Sequence, residues 1–151
     1  MTTAPPCSAP STWSHFYQRW LAADPGRQAR VAVLAELSLE HCDFGAELAR
    51  ERHAKGIELP LPRGLRRLRN LVVAALIERD LCGRADLAEV VATMTALADF
   101  AIAAALSPLM DEMVAQHGMP TGAESGLPQQ LMVLAMGKQG GGELNVSSDI
   151  D

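Results

Sequence analysis

The sequence predicts a mainly helical chain that ends in the opening pieces of an α/β unit. Three observations lead there. Apolar residues recur at the i, i+3, i+4, i+7 spacing of an amphipathic helix through much of residues 11–118. A stretch containing Gly, Pro and Ser at residues 121–128 ends that texture. Beyond it, residues 130–136 (QLMVLAM) form a short apolar run of the kind a buried strand shows. The organisation read from these changes is a disordered tail at 1–10, a helical region at 11–118, a linker at 119–128 and the α/β piece at 129–151.

Each element has its own signal. Residues 1–10 are rich in Pro, Ala and Ser without periodicity, as a frayed tail is. A first helix is expected over 12–23, where Trp13, Phe16, Tyr17 and Trp20 share a face and Asp24-Pro25-Gly26 stops it. These are four of the chain's six aromatic residues, so that face is expected to dock against neighbouring helices. Helical signals continue over 27–40 and 44–55, closed by Lys55-Gly56 and the Pro60-Leu61-Pro62 turn. Leu65, Leu68, Val72 and Leu76 mark a helix over 65–81, beside the basic cluster Arg63, Arg66, Arg67 and Arg69. Asp86 with Glu89 resembles a capping box opening the next helix, striped by Leu87, Val90, Val91, Met94, Leu97, Ala101 and Ala105. Ser107-Pro108 fits either a kink or an N-cap followed by Pro, and Gly118 fits a helix-ending position.

Composition bounds the function. With 151 residues, 48% apolar and 21% charged, the chain has room for one ordinary domain, or one plus part of another. A formal charge of −5 and a pI near 5.3 argue against nucleic-acid binding through bulk positive charge. Cys7, Cys42 and Cys82 are odd in number with no C-x-x-C pair, which excludes a self-contained disulfide framework and a cysteine zinc cluster. Such usage suits a reducing cytoplasm. His15, His41, His53 and His117 share no ligand spacing. The N-terminus lacks the basic and apolar regions of a signal peptide. The longest uncharged apolar run, 100–110, falls far short of the ~20 residues of a spanning helix. A soluble cytoplasmic chain is expected, with neither a nucleic-acid nor a membrane partner. Its last residues, Ser147-Ser148-Asp149-Ile150-Asp151, read as the middle of a strand, so a truncated chain is expected as well.

Those last residues also carry the chemistry. On a strand, side chains alternate, so Asp149 and Asp151 project from one face with Ile150 behind them. Adjacent carboxylates repel each other, and a divalent cation such as Mg²⁺ removes the conflict. In the preceding loop, Gly137, Gly140, Gly141 and Gly142 let the backbone approach a bulky anion and aim N–H groups at it. Lys138 adds a point charge suited to phosphate. The loop is not a Walker A motif, because Gln139 follows Lys138, and it feeds an Asp-x-Asp segment where a dinucleotide fingerprint would open a long helix. The plain alternative is a glycine turn with a solvated acidic end. For Arg66, Arg67 and Arg69 it is a solvated helix face. Glu143 fits either orientation of the glycine loop or a local cap.

An apolar strand ending in Gly137, a second glycine five residues on at Gly142, and Ser148-Asp149-Ile150-Asp151 with its first aspartate twelve residues on resemble the DNA polymerase β-like nucleotidyltransferase signature. Lys138 stands where that superfamily usually has Ser or Gly, which narrows the field. The string from Met136 to Asp151, MGKQGGGELNVSSDID, is similar to the first nucleotidyltransferase motif of the bifunctional glutamine synthetase adenylyltransferase/adenylyl-removing family. Gln139 replaces the family's usual Leu, and Ala135 a frequent Gly. Upstream, Arg66-Arg67-Leu68-Arg69 and the run from Glu78 to Leu87 (ERDLCGRADL) resemble that family's Arg-rich helix and the connection after it.

The resemblance implies a helical N-terminal region followed by the truncated start of a polymerase β-like nucleotidyltransferase α/β domain, residues 129–151 being its first strand, Gly-rich loop and second-strand entry. It implies that Asp149 and Asp151 are catalytic and bind Mg²⁺, and that Gly137, Lys138, Gly140, Gly141, Gly142 and Ser148 bind the nucleotide phosphates. The implied reaction is phosphorolysis: inorganic phosphate attacks the AMP on a modified tyrosine of glutamine synthetase, giving ADP, while a second half of the full protein adds AMP from ATP. Glutamine synthetase and a PII-type nitrogen signal protein are the implied partners. The superfamily's third carboxylate comes from a later strand, so the 151 residues alone are expected to be inactive. The competing readings are a non-catalytic helical module that docks glutamine synthetase, and a different polymerase β-like nucleotidyltransferase.

Overall fold

The computed structural model describes residues 14–148. Six α-helices follow in order: α1 (His15–Ala22), α2 (Gly26–Leu34), α3 (Phe44–Arg52), α4 (Leu61–Leu81), α5 (Leu87–His117) and the single turn α6 (Gly137–Gly140). Short 3-10 turns at Leu39–His41 and Ala54–Gly56 join the second to fourth helices. The tail at 1–10, Trp13, Asp149 and Asp151 lie outside the described residues.

α4 is the centre of the body. Its residues Leu68, Leu71, Val72, Val73, Ala74, Ala75 and Leu76 are all buried, because α2, α3 and α5 pack around it. A helix covered on several sides needs apolar residues around its whole circumference, which the LVVAAL run at 71–76 supplies. Gly64 lets α3 approach closely: a Cβ there would lie 2.4 Å from Arg52 Cγ and 3.1 Å from Leu48 Cδ1. α4 starts four residues earlier than the apolar stripe suggests, with proline in its first turn, where a missing N–H costs nothing.

α1 is shorter than its apolar spacing, starting after Ser14, whose hydroxyl accepts from the Tyr17 N–H at 3.2 Å. Its aromatic face is divided. Tyr17 is buried and donates to Glu78 at 2.5 Å, Trp20 packs against the core, and Phe16 stays exposed. The expected helix over 27–40 ends at Leu34, and only the 3-10 turn Leu39–His41 resumes it, with Leu39 buried.

α5 opens at Asp86, which caps the Glu89 N–H at 2.9 Å. Pro108 lies inside the helix, which runs on to His117 without an N-cap at Ser107. Gly118 closes it at φ +83°, its N–H donating to the Val114 carbonyl at 2.9 Å. The first half of α5 sends Thr93, Met94, Leu97 and Ala98 into the core. By length and composition alone α5 is apolar enough to cross a bilayer, a property the 100–110 run did not reveal.

Among the described residues there is no strand; Thr121 and Pro128 form one isolated antiparallel bridge across the linker. Residues 130–136, expected as a first strand, have no regular structure, and Leu131, Met132, Val133, Leu134 and Met136 are exposed. A strand needs a hydrogen-bonding neighbour and a surface to bury its side chains, and the described residues offer this segment neither.

Candidate functional site

The glycine-rich segment is seated on the helical body by three contacts. Leu144 is buried at 4% exposure and joins the α4–α5 core, with Val146 packed against it. Arg69 of α4 donates from Nη2 to the Val146 carbonyl at 3.2 Å. Gln139 donates from Nε2 to Asp99 Oδ1 of α5 at 2.9 Å. An apolar plug and two polar ties therefore hold the loop where residue 148 leaves the body.

Within the loop, Gly137 and Gly142 adopt φ +58° and +70°, backbone that favours glycine. Gly140 has a different need: a Cβ would lie 2.5 Å from the Ala135 carbonyl oxygen. The turn closes on itself, with the N–H groups of Gly140, Gly141, Gly142 and Glu143 donating to the carbonyls of Met136, Gly137, Gln139 and Lys138. Of the expected phosphate donors, Gly140, Gly141 and Gly142 thus spend their N–H groups inside the loop. The N–H groups of Gly137, Lys138 and Gln139 belong to the first turn of α6 and have no acceptor within that helix.

Lys138 and Ser148 line one cleft of about 680 Å³, bounded by Ile102 of α5 and by residues 133–136. Ser148 also borders a smaller hollow of about 290 Å³ with Arg66, Arg69, Met94 and Leu97. The Ser148 hydroxyl accepts from the Asn145 N–H at 3.2 Å and donates to Asn145 Oδ1 at 3.2 Å, while the Ser148 N–H donates to the Asn145 carbonyl at 3.0 Å. The structure therefore sets Lys138 and Ser148 on the walls of one cleft and places Gly140, Gly141 and Gly142 on the exposed outer turn. What this arrangement offers an anion is the Lys138 ammonium and the first-turn N–H groups of α6; the one proton of the Ser148 hydroxyl is already donated to Asn145 Oδ1.

Sequence reasoning singled out neither Leu144 nor the Gln139–Asp99 tie. Leu144 and Val146 alternate as apolar residues in an otherwise polar stretch, and that was the available signal. Gln139 stood out only as a departure from the usual leucine. Its amide partner lies forty residues away in sequence, beyond the reach of any local pattern.

Residues 28–151 match the family model described as glutamate-ammonia ligase adenylyltransferase. The chain is 43% identical over 99% of its length to the bifunctional glutamine synthetase adenylyltransferase/adenylyl-removing enzyme of Ralstonia nicotianae, of which it covers 17%. The enzyme of the same description from Bordetella pertussis is 42% identical over all of this chain and is covered to 16%. That from Nitrosomonas eutropha is 55% identical over 62% of this chain and is covered to 10%. The chain thus spans about a sixth of the length of the first two relatives. No solved structure matches it with significance.

Proposed function

Because the chain belongs to the glutamate-ammonia ligase adenylyltransferase family, we propose that it is the N-terminal part of a protein that removes AMP from a tyrosine of glutamine synthetase by phosphorolysis, releasing ADP. The observation that carries this reading is the string MGKQGGGELNVSSDID at 136–151, lying wholly within the family match. In the longer protein a second half adds AMP from ATP, and a PII-type protein delivers the nitrogen signal. The activity belongs to that longer protein and not to these 151 residues alone, and its place is the cytoplasm.

The chain's own residues have defined tasks in this reading. Lys138 faces the incoming phosphate and the AMP phosphoryl group across the cleft it shares with Ser148, supported by the first-turn N–H groups of 137–139, while Ser148, bonded to Asn145, shapes the cleft wall. Gly140 keeps the turn tight, and Gly141 and Gly142 close it. Arg69 and Leu144 hold the loop against α4 and α5, so the loop is already positioned when the reacting groups arrive. Among the described residues no cluster of three or more His, Cys, Asp or Glu could hold a metal ion. Mg²⁺ would rest on Asp149 and Asp151, which lie outside the described residues and whose paired carboxylates are the hard oxygen donors it prefers. When bound, it would neutralise charge developing on the transferred phosphoryl group.

The test is direct. Adenylylated glutamine synthetase is incubated with inorganic phosphate and a full-length protein carrying this segment, and the nucleotide released is identified. ADP that appears only with phosphate supports the reading. Release of AMP, or no release, contradicts it.

A further inference from the structure

A second cleft, of about 390 Å³, lies on the side of the body formed by α1, α2, α3 and α4. Into it come Arg27 and Arg30 of α2, Arg50 of α3 and Arg67 of α4, together with Trp20 and Asn70. Only Arg67 belongs to the arginine cluster the sequence displays; the packing of α2, α3 and α4 brings the four arginines to one cleft. Against these four guanidinium groups stand three carboxylates, Asp24 and Glu51 in the lining and Glu47 bonded to Arg30 and Arg50, in a chain whose overall charge is −5. The cleft is locally cationic on an acidic protein.

The arginines differ in what already holds them. Arg27 stacks over the Trp20 ring at 4.7 Å and donates to the Trp20 carbonyl at 2.5 Å, so its fork is held at the edge of the cleft. Arg30 donates to Glu47 at 2.5 Å and lies 3.5 Å from Glu51. Arg50 is also paired with Glu47. One buried carboxylate thus satisfies two guanidinium groups, leaving unused donors on both. Arg67 is exposed and makes no ion pair or hydrogen bond among the described residues. Asn70, one turn further along α4, adds an amide at the same wall.

We propose that this cleft is a binding site for a small oxyanion carrying two or more negative charges, separate from the glycine loop, with Arg67 as its principal ligand. Arginine forks match phosphate and carboxylate oxygens in pairs of hydrogen bonds, and several converging forks select multiply charged anions over chloride. Pre-positioning of Arg27, Arg30 and Arg50 by existing contacts lowers the ordering cost of binding. Its lining shares no residue with the two hollows beside the glycine loop, so it stands whether or not the phosphorolysis reading does.

Inorganic pyrophosphate and succinate, each titrated calorimetrically into the full 151-residue chain at constant ionic strength, test this. The expected result is saturable one-site binding of at least one of them. Arg67→Gln should weaken it about tenfold or more, the loss of one charge-assisted contact. Arg63→Gln, on the same helix but outside the cleft, should leave it unchanged within about twofold. Tighter pyrophosphate binding assigns phosphate-bearing ligands and tighter succinate binding assigns dicarboxylates; either supports the site. Absence of saturable binding by both probes, or equal weakening by the two variants while thermal melts show both folded, overturns it.

Discussion

Arg79 and Glu89 form a buried two-point ion pair, Nε to Oε1 at 2.8 Å and Nη2 to Oε2 at 3.0 Å, across the turn that joins α4 to α5. The same two side chains reach further. Glu89 accepts from the Leu39 N–H at 2.9 Å, and Arg79 donates to the carbonyls of Ala35 and Arg84, both at 2.9 Å. One pair thereby fastens the end of α2, the 3-10 turn, α4 and α5 to each other. Asp86 caps α5 as a capping box would, but Glu89 does not reach back to it; its carboxylate is committed to Arg79 and Leu39.

Removing one partner strands the other in a dry environment. Glu89→Ala is expected to cost about 3–5 kcal/mol of unfolding free energy, the usual penalty for breaking a buried ion pair. Urea denaturation followed by circular dichroism reads this as a lower midpoint. A loss under about 1 kcal/mol would show that the pair is not the fastening described.

The same carboxylate sets an acid limit. Burial pushes the Glu89 carboxyl upward, but the hydrogen bonds from Arg79 and the Leu39 N–H outweigh it and hold it below its ordinary value of 4.5. A depressed carboxyl contributes stability that is present above its unfolded value and lost as pH falls through the folded one. Melting temperatures from pH 7 down to pH 3 should therefore fall more steeply for the native chain than for Glu89→Gln, with the divergence beginning below about pH 4.5. Parallel curves would contradict this.

At the loop, Gly140→Ala places a Cβ against the Ala135 carbonyl, and backbone must shift to admit it. The strain is about 1–3 kcal/mol and local. Amide exchange of Gly141, Gly142 and Glu143 should speed up, since their N–H bonds close the turn, while the melting temperature of the helical body stays nearly unchanged. Unaltered exchange at those three amides would mean that the turn does not depend on the glycine.

Local patterns carried much of the fold. The stripe Leu68, Val72, Leu76 placed α4, Asp86 and Gly118 marked both ends of α5, and Asp24-Pro25-Gly26 separated α1 from α2. What escaped was tertiary. Arg79 sits in a charged run, ERD, whose local pattern carries no sign of burial, yet it is buried because Glu89 and two carbonyls receive it. Pro108 costs α5 one hydrogen bond, too little to end a helix already fastened by its first half. At the site, Lys138 and Ser148 were legible as residue types, and the structure sets them on a common cleft. The use of Gly140, Gly141 and Gly142 in closing the turn was not legible, because a glycine's N–H serves a ligand or the chain's own carbonyls from the same sequence.

The measurement that bears most directly on the whole account is phosphate-dependent ADP release from adenylylated glutamine synthetase by the full-length protein, native against Asp149→Asn with Asp151→Asn. Loss of activity by about a hundredfold or more, with binding of glutamine synthetase retained, is the result expected when charge-stabilising groups are removed. Activity within about threefold of native would contradict the account.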